Sequence, residues 1–140
     1  MKMMLLDIKE QVEALGKRIN TPHNLYPTYG RSADGDRPHI EIDSSGKLHF
    51  VVVERGQELE RQTTTVPNDL LFWIFDVITF SMACAFELEN RKPNQDFRHI
   101  LFSKQEDLLG CLSANWQEKK RINHNLILAK HPFSDALLHS

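Results

Sequence analysis

The sequence predicts an α+β domain, a small antiparallel sheet covered on one face by helices. Three observations predict this class. Apolar residues recur at helical spacing near the N-terminus and again through the C-terminal half, and the segments between them alternate apolar and polar residues. Turn residues separate these segments. The predicted order is an N-terminal helix, a three-stranded antiparallel sheet (a hairpin plus an edge strand), two long helices and a short terminal helix.

The length and composition are those of one globular domain spanning residues 1–140. The chain has 140 residues, of which 41% are hydrophobic and 26% charged, with a formal net charge of −2. A nucleic-acid-binding protein needs a basic surface, which this balance does not supply. We therefore expect no nucleic-acid partner.

The first helix is predicted from apolar residues at three- and four-residue spacing: Met4, Leu5, Ile8, Val12, Leu15 and Ile19. Charge appears already at Asp7, too early for the apolar core of a secretory signal, so we expect a cytoplasmic protein. Pro22 ends the helix, and residues 21–38 are rich in Pro, Gly, Asp and Arg. This segment predicts a long surface loop.

A β-hairpin is predicted from the stretch "HIEIDSSGKLHFVVVE". If Ser44 to Gly46 form a three-residue loop, Ile42 faces Leu48 and Ile40 faces Phe50, and the large apolar side chains share one face. The opposite face is then expected to be a mostly polar surface that carries His39, Glu41, Asp43, Lys47, His49 and Val51. The segment from Gln57 to Thr64 follows as a polar strand, which suits an exposed sheet edge.

The most apolar segment, Asp69 to Arg91, predicts one long helix. Its length nearly suffices for a membrane span. However, polar or small residues form one stripe at helical spacing: Asp76, Thr79, Ala83, Glu87 and Asn90. A narrow polar stripe on an otherwise apolar helix is typical of a helix in the core of a soluble domain. We therefore expect a core helix and no membrane association.

The C-terminal third predicts a second long helix and then a short one. Asp96 is a good N-cap for a helix whose inward positions run from Ile100 to Trp116, and Pro132 ends the last helix. The chain's two cysteines, Cys84 and Cys111, lie in these apolar helical patterns without ligand-like neighbours. We expect buried, reduced thiols rather than a disulfide.

No catalytic set of residues is evident. His39, Glu41 and His49 would share a hairpin face and could in principle hold zinc, but ordinary cross-strand pairs are the favoured interpretation. The segment "GRSADGDR" lacks the lysine and the following helix of a phosphate-binding loop. We therefore expect no enzyme activity, metal or cofactor.

The chain resembles the immunity protein 63 family of bacterial polymorphic toxin systems. The resemblance rests on "HIEID", "GKLHFVVVERGQE", "DLLFWIFDVITFSMACAFELENR" and "DFRHILFSKQEDLLGCLSANW", and covers about residues 39–116. Ile78 before Thr79 is a mild departure from the pattern. The matching positions are His39, Asp43, Glu54, Arg55, Gly56, Glu58, Trp73, Phe80, Met82, Glu87, Asn90, Arg91, Arg98, Phe102 and Gln105.

The resemblance implies a small cytoplasmic protein that binds a cognate toxin domain and blocks it sterically, as a monomer or weak dimer. We expect toxin contacts from Asp34, Asp36, His39, Glu41, Asp43 and His49, or from the edge strand. A structural network is expected from Glu54, Arg55, Glu87, Asn90 and Arg91. The alternatives are a small metal-dependent enzyme using the hairpin His/Glu face and a secretion adaptor or chaperone; metal analysis and dimerisation would distinguish them.

Overall fold

The computed structural model describes residues 4–30 and 37–135 and has a mixed α+β fold, as predicted. A short 3-10 turn, His23–Leu25, follows the first helix. The elements are α1 (Leu5–Arg18), β1 (Thr28–Tyr29), β2 (His39–Ile42), β3 (Leu48–Glu54), β4 (Gln57–Thr64), α2 (Pro67–Glu89), α3 (Arg98–Leu112) and α4 (Ala114–Lys130).

The sheet has four strands in the described residues, in the order β1-β2-β3-β4, one more than predicted. The additional strand is β1, which lies in the stretch predicted to be loop. It pairs in parallel with β2, where Thr28 faces His39 and Tyr29 faces Ile40. A two-residue strand directly after Pro27 leaves no alternating pattern in the sequence, which is why the prediction missed it.

The predicted hairpin register is confirmed. Ile42 pairs with Leu48 and Ile40 with Phe50, and Asp43 N donates to Lys47 O at 3.0 Å across the loop. Gly46 has φ +87°, a conformation that glycine adopts without steric cost. The alternation of apolar residues therefore fixed which side chains enter the core.

The opposite face of the hairpin was expected to be a polar surface, and this is wrong at its centre. His39 is 4% exposed and Val51 fully buried, although both lie on the face opposite Phe50. The face is covered at His39, His49 and Val51, whereas the side chains of Glu41 and Asp43 on it stay 33% and 38% exposed. By contrast, β4 is exposed along most of its length and lies at the sheet edge, as predicted.

Helix α2 is continuous over Pro67–Glu89, as predicted for this segment. In its second half, however, the small and polar residues expected to face water are buried: Thr79, Ala83 and Glu87. Phe80 is 49% exposed and Leu88 66%. Gln105 Nε2 donates to Thr79 Oγ1 at 3.3 Å, because small side chains allow a neighbouring helix to approach closely. The expected orientation of this half was therefore wrong.

Helix α2 is long and apolar enough to cross a membrane by length and composition, and 39% of its most apolar window is buried. Core helices of soluble proteins meet the same criterion, so this finding is weak evidence. The core-helix interpretation of this segment stays a prediction.

The C-terminal region contains a second correction. The helix predicted to run to Trp116 ends at Leu112, and Ser113 caps a new helix by accepting a hydrogen bond from Trp116 N at 3.2 Å. Helix α4 has 17 residues, so the terminal helix is long rather than short. Residues 118–121, "EKKR", belong to this helix and do not mark its end.

The chain divides into two compact units, Met1–Ile78 and Thr79–Ser140, and the boundary falls inside α2. In the first unit the fully buried side chains come from α1, the sheet and the start of α2, and include Val12, Ile40, Phe50 and Phe75. In the second, Leu101, Leu109 and Trp116 are buried. The single-domain assignment of residues 1–140 stays a prediction.

Candidate interaction surface

The hairpin and the edge strand share a charged cluster. His39 Nε2 donates to Glu41 Oε2 at 2.6 Å, and Arg61 Nη1 donates to Glu41 Oε1 at 3.2 Å. Arg61 Nη2 also donates to Glu58 Oε1 at 2.7 Å. Strand pairing aligns these residues, because His39, Val51 and Arg61 occupy one row across three strands. We call Glu41, Glu58 and Arg61 the edge cluster.

The carboxylates of the edge cluster are ionised. The hydrogen bond from His39, followed by the contacts with Arg61, lowers the pKa of Glu41, whereas the Arg61 hydrogen bond lowers the pKa of Glu58. The hydrogen bonds to Glu58 and then to Glu41 raise the pKa of Arg61. The three side chains are between 33% and 44% exposed. Two carboxylates around one guanidinium leave a net negative charge that a basic partner can reach.

Asp43 was expected to contact a partner, but its bonds hold the hairpin turn. Its Oδ1 accepts from Ser45 N at 2.9 Å, from Ser45 Oγ at 2.7 Å and from Lys47 N at 3.0 Å. His49 Nε2 donates to Oδ2 at 2.9 Å. The Ser45 hydroxyl and then His49 lower the pKa of Asp43 strongly. The side chain therefore satisfies loop donors, whatever else it contacts.

The structure does not bring His39, Glu41 and His49 into one ligand set. His39 bonds Glu41, whereas His49 bonds Asp43 and, through Nδ1, Thr63 Oγ1 at 2.8 Å. Within residues 4–30 and 37–135, no group of three or more His, Cys, Asp or Glu side chains could hold a metal ion. Asp34 and Asp36 lie outside the described residues.

Part of the expected structural network forms at the end of α2. Arg91 donates to both carboxylate oxygens of Glu87, at 2.7 and 2.9 Å, and Glu87 is 2% exposed. Asn90 Nδ2 donates to Phe86 O at 2.9 Å and closes the helix end. The expected tie from this pair to Glu54 and Arg55 stays a prediction.

Sequence reasoning missed a buried polar chain in the second unit. His124 lies 2.7 Å from Glu106 Oε2 through Nδ1 and 3.2 Å from Gln105 Oε1 through Nε2. Phe102 stacks on the His124 ring with centroids 3.8 Å apart. Phe102 and Gln105 both belong to the quoted helix pattern, so that pattern describes fold-holding contacts. No sequence pattern marked His124 as buried, because it is one of many polar residues in this helix.

The cysteines differ in exposure. Cys84 is half-buried and burial raises the pKa of its thiol, but Cys111 is exposed, contrary to the expectation. Cys111 lies on the outer side of α3, where apolar neighbours in the sequence do not imply burial. Neither forms a disulfide within the described part of the chain, and their reduced state in solution stays a prediction.

The fold and this surface define a small α+β protein with an exposed charged sheet edge, suited to contact another protein. The family model of Immunity protein 63 matches residues 43–126, more than half of the chain, and the chain belongs to that family. The resemblance in the sequence is thus confirmed. No curated protein and no solved structure matches the chain.

Proposed function

We propose that the protein binds one cognate toxin domain in the cytoplasm of the cell that makes it and blocks that toxin sterically, without catalysis. The family match over residues 43–126 carries this proposal. The rival enzyme interpretation needs His39, Glu41 and His49 to act together. However, the His39 imidazole is bonded to Glu41 and the His49 imidazole to Asp43. An immunity protein needs no turnover, only a stable complex.

The surface that best supports toxin binding is the outer edge of β4 with the edge cluster. Of the three surfaces considered from the sequence, the hairpin face is buried at its centre and the loop before β2 lies outside the described residues. β4 is exposed over Gln57–Arg61 and has a strand neighbour on one side. Exposed edges accept strands from partners through main-chain hydrogen bonds.

The charge of this surface selects the partner. The two carboxylates of Glu41 and Glu58 outnumber the one guanidinium of Arg61. Complementary charges steer association and exclude partners of the wrong sign. A steric inhibitor buries about 800 Å² of its own surface, so the edge would form the centre of a larger contact. The expected partner is therefore a toxin domain with a basic segment beside its active site.

The test is a pull-down with the toxin domain encoded beside this gene. Glu58→Lys should weaken the complex at least about tenfold, because it places a positive charge where a basic partner docks. Glu89→Lys is the matched control, since Glu89 is exposed at the end of α2 and undergoes the same charge change. Equal affinities of the two variants and the unaltered protein would place the interface elsewhere. No complex with the unaltered protein would contradict the proposed function.

A further inference from the structure

A cleft of about 630 Å³ lies in the first unit between α1 and the segment that leads into β1. Its volume is that of a small-molecule site, which usually measures 300–1,000 Å³. The lining residues that the structure describes all precede residue 43 and so lie outside the family match. They are Lys9, Glu13, Lys17, His23, Tyr26, Pro27, Thr28, Tyr29 and Arg37.

Packing and one hydrogen bond hold the walls of the cleft in place. Gly16 of α1 has no side chain, and a Cβ there would lie 2.2 Å from Tyr26 Oη, so the Tyr26 ring lies directly against the helix. Arg37 Nε donates to Tyr26 O at 2.8 Å, which fixes the guanidinium beside the same residue. The cleft is therefore preformed on its aromatic side.

The cleft carries more positive than negative charge. Among the described residues, Lys9, Lys17 and Arg37 line it, against the one carboxylate of Glu13. Within the described residues, none of these three cations makes an ion pair, whereas Arg61, Arg91 and Arg98 are each paired with a carboxylate. A concave surface lined by one sign of charge raises the local concentration of opposite ions. Three cations that have no carboxylate partner among the described residues therefore line one cavity of a chain whose net charge is negative.

Tyr29 lines the cleft, but its hydroxyl is shielded from solvent. Its Oη is buried and has no hydrogen-bond partner among the described residues. Such groups are rare in folded proteins and each requires an explanation. Burial, followed by the charge of Glu13 and the proximity of Tyr26, raises the pKa of Tyr29, so the phenol stays protonated.

We propose that this cleft binds a small polyanion of the phosphate class, with a pyrophosphate group held by Lys9, Lys17 and Arg37. A monoanion would compensate only one of the three positive charges, whereas a pyrophosphate carries at least two negative charges. Charge-assisted hydrogen bonds from a guanidinium and two ammonium groups are about twice as strong as neutral ones. The site is independent of the toxin-binding edge on β4.

The test is a titration of the full chain with inorganic pyrophosphate, monitored by heteronuclear NMR. Chloride keeps the ionic strength constant. We expect saturable shifts with a Kd below about 1 mM. The double variant Lys9→Gln, Lys17→Gln should raise that Kd at least about tenfold, because two of three charged donors are lost. Both lysines are exposed, so the variant should keep the thermal unfolding midpoint of the parent.

Lys130→Gln is the matched control, because Lys130 is exposed at the end of α4 and does not line the cleft. Its Kd should stay within about twofold of the parent value. Shifts that do not saturate by about 10 mM pyrophosphate would overturn the proposal. An equal loss of affinity in the Lys130→Gln variant would also overturn it, by showing unspecific attraction. Neither result bears on toxin binding.

Discussion

At the scale of single residues, the burial of polar atoms is the feature that the sequence pattern did not predict. Tyr29 Oη and His39 Nδ1 are buried without a hydrogen-bond partner in the described part of the chain. His39 still bonds Glu41 through its other ring nitrogen, but the Tyr29 hydroxyl has no such compensation. A buried hydroxyl without a partner costs about 1–3 kcal/mol, so its removal from Tyr29 should have a measurable effect on stability.

We predict that Tyr29→Phe leaves the free energy of unfolding unchanged or raises it by about 1 kcal/mol. The substitution keeps the ring and removes the unpartnered hydroxyl. Urea unfolding of the ligand-free variant and the parent under the same buffer measures the difference. A loss of more than about 1 kcal/mol would show that the hydroxyl makes a hydrogen bond in the folded protein.

At the scale of elements, the hairpin shows how one carboxylate organises a turn. Asp43 accepts from two backbone amides, one hydroxyl and one imidazole, which joins the loop to His49 on β3. These bonds favour the ionised form, so the folded pKa of Asp43 lies below its unfolded value of about 3.9. Folding stability from this group is present above about pH 4 and decreases as pH falls below that value.

We predict that Asp43→Asn lowers the free energy of unfolding at pH 7. Between about pH 5 and pH 2 this free energy should fall less in the variant than in the parent. The amide keeps one acceptor oxygen but carries no charge and does not titrate. Chemical unfolding at several pH values measures the free energy of both proteins. Asp107→Asn on α3 is the control, because Asp107 is exposed and makes no side-chain hydrogen bond with other described residues. Parallel pH profiles for the parent and Asp43→Asn would contradict the assignment.

The elements also show where sequence reasoning reached its limit. The hairpin register was predictable because a one-residue slip would place Ile40 on the face opposite Leu48 and Phe50 and lose their shared burial. The second half of α2 was not, because Thr79 and Glu87 become buried once Gln105 and Arg91 satisfy them. Hydrophobicity patterns do not record such partners. The edge position of β4 was predictable from its charge, but its bonding to Glu41 depends on strand alignment.

At the scale of the whole molecule, the chain belongs to the Immunity protein 63 family and has an exposed, charged sheet edge among its described residues. The family match begins at Asp43 and ends at Leu126, and includes β3, β4 and three helices. Within that segment the buried polar side chains of Thr79, Glu87 and Gln105 serve the fold, whereas the edge of β4 is exposed. The central claim is that the protein protects a cell by binding one toxin domain.

Co-expression with the adjacent toxin domain tests this claim most directly. The unaltered protein should restore growth of cells that express the toxin and should co-purify with it as a stable complex. Glu89→Lys should protect as well as the parent, and Glu58→Lys should protect less in proportion to its weaker binding. Cells that die despite abundant, folded protein, with no complex recovered, would contradict the account.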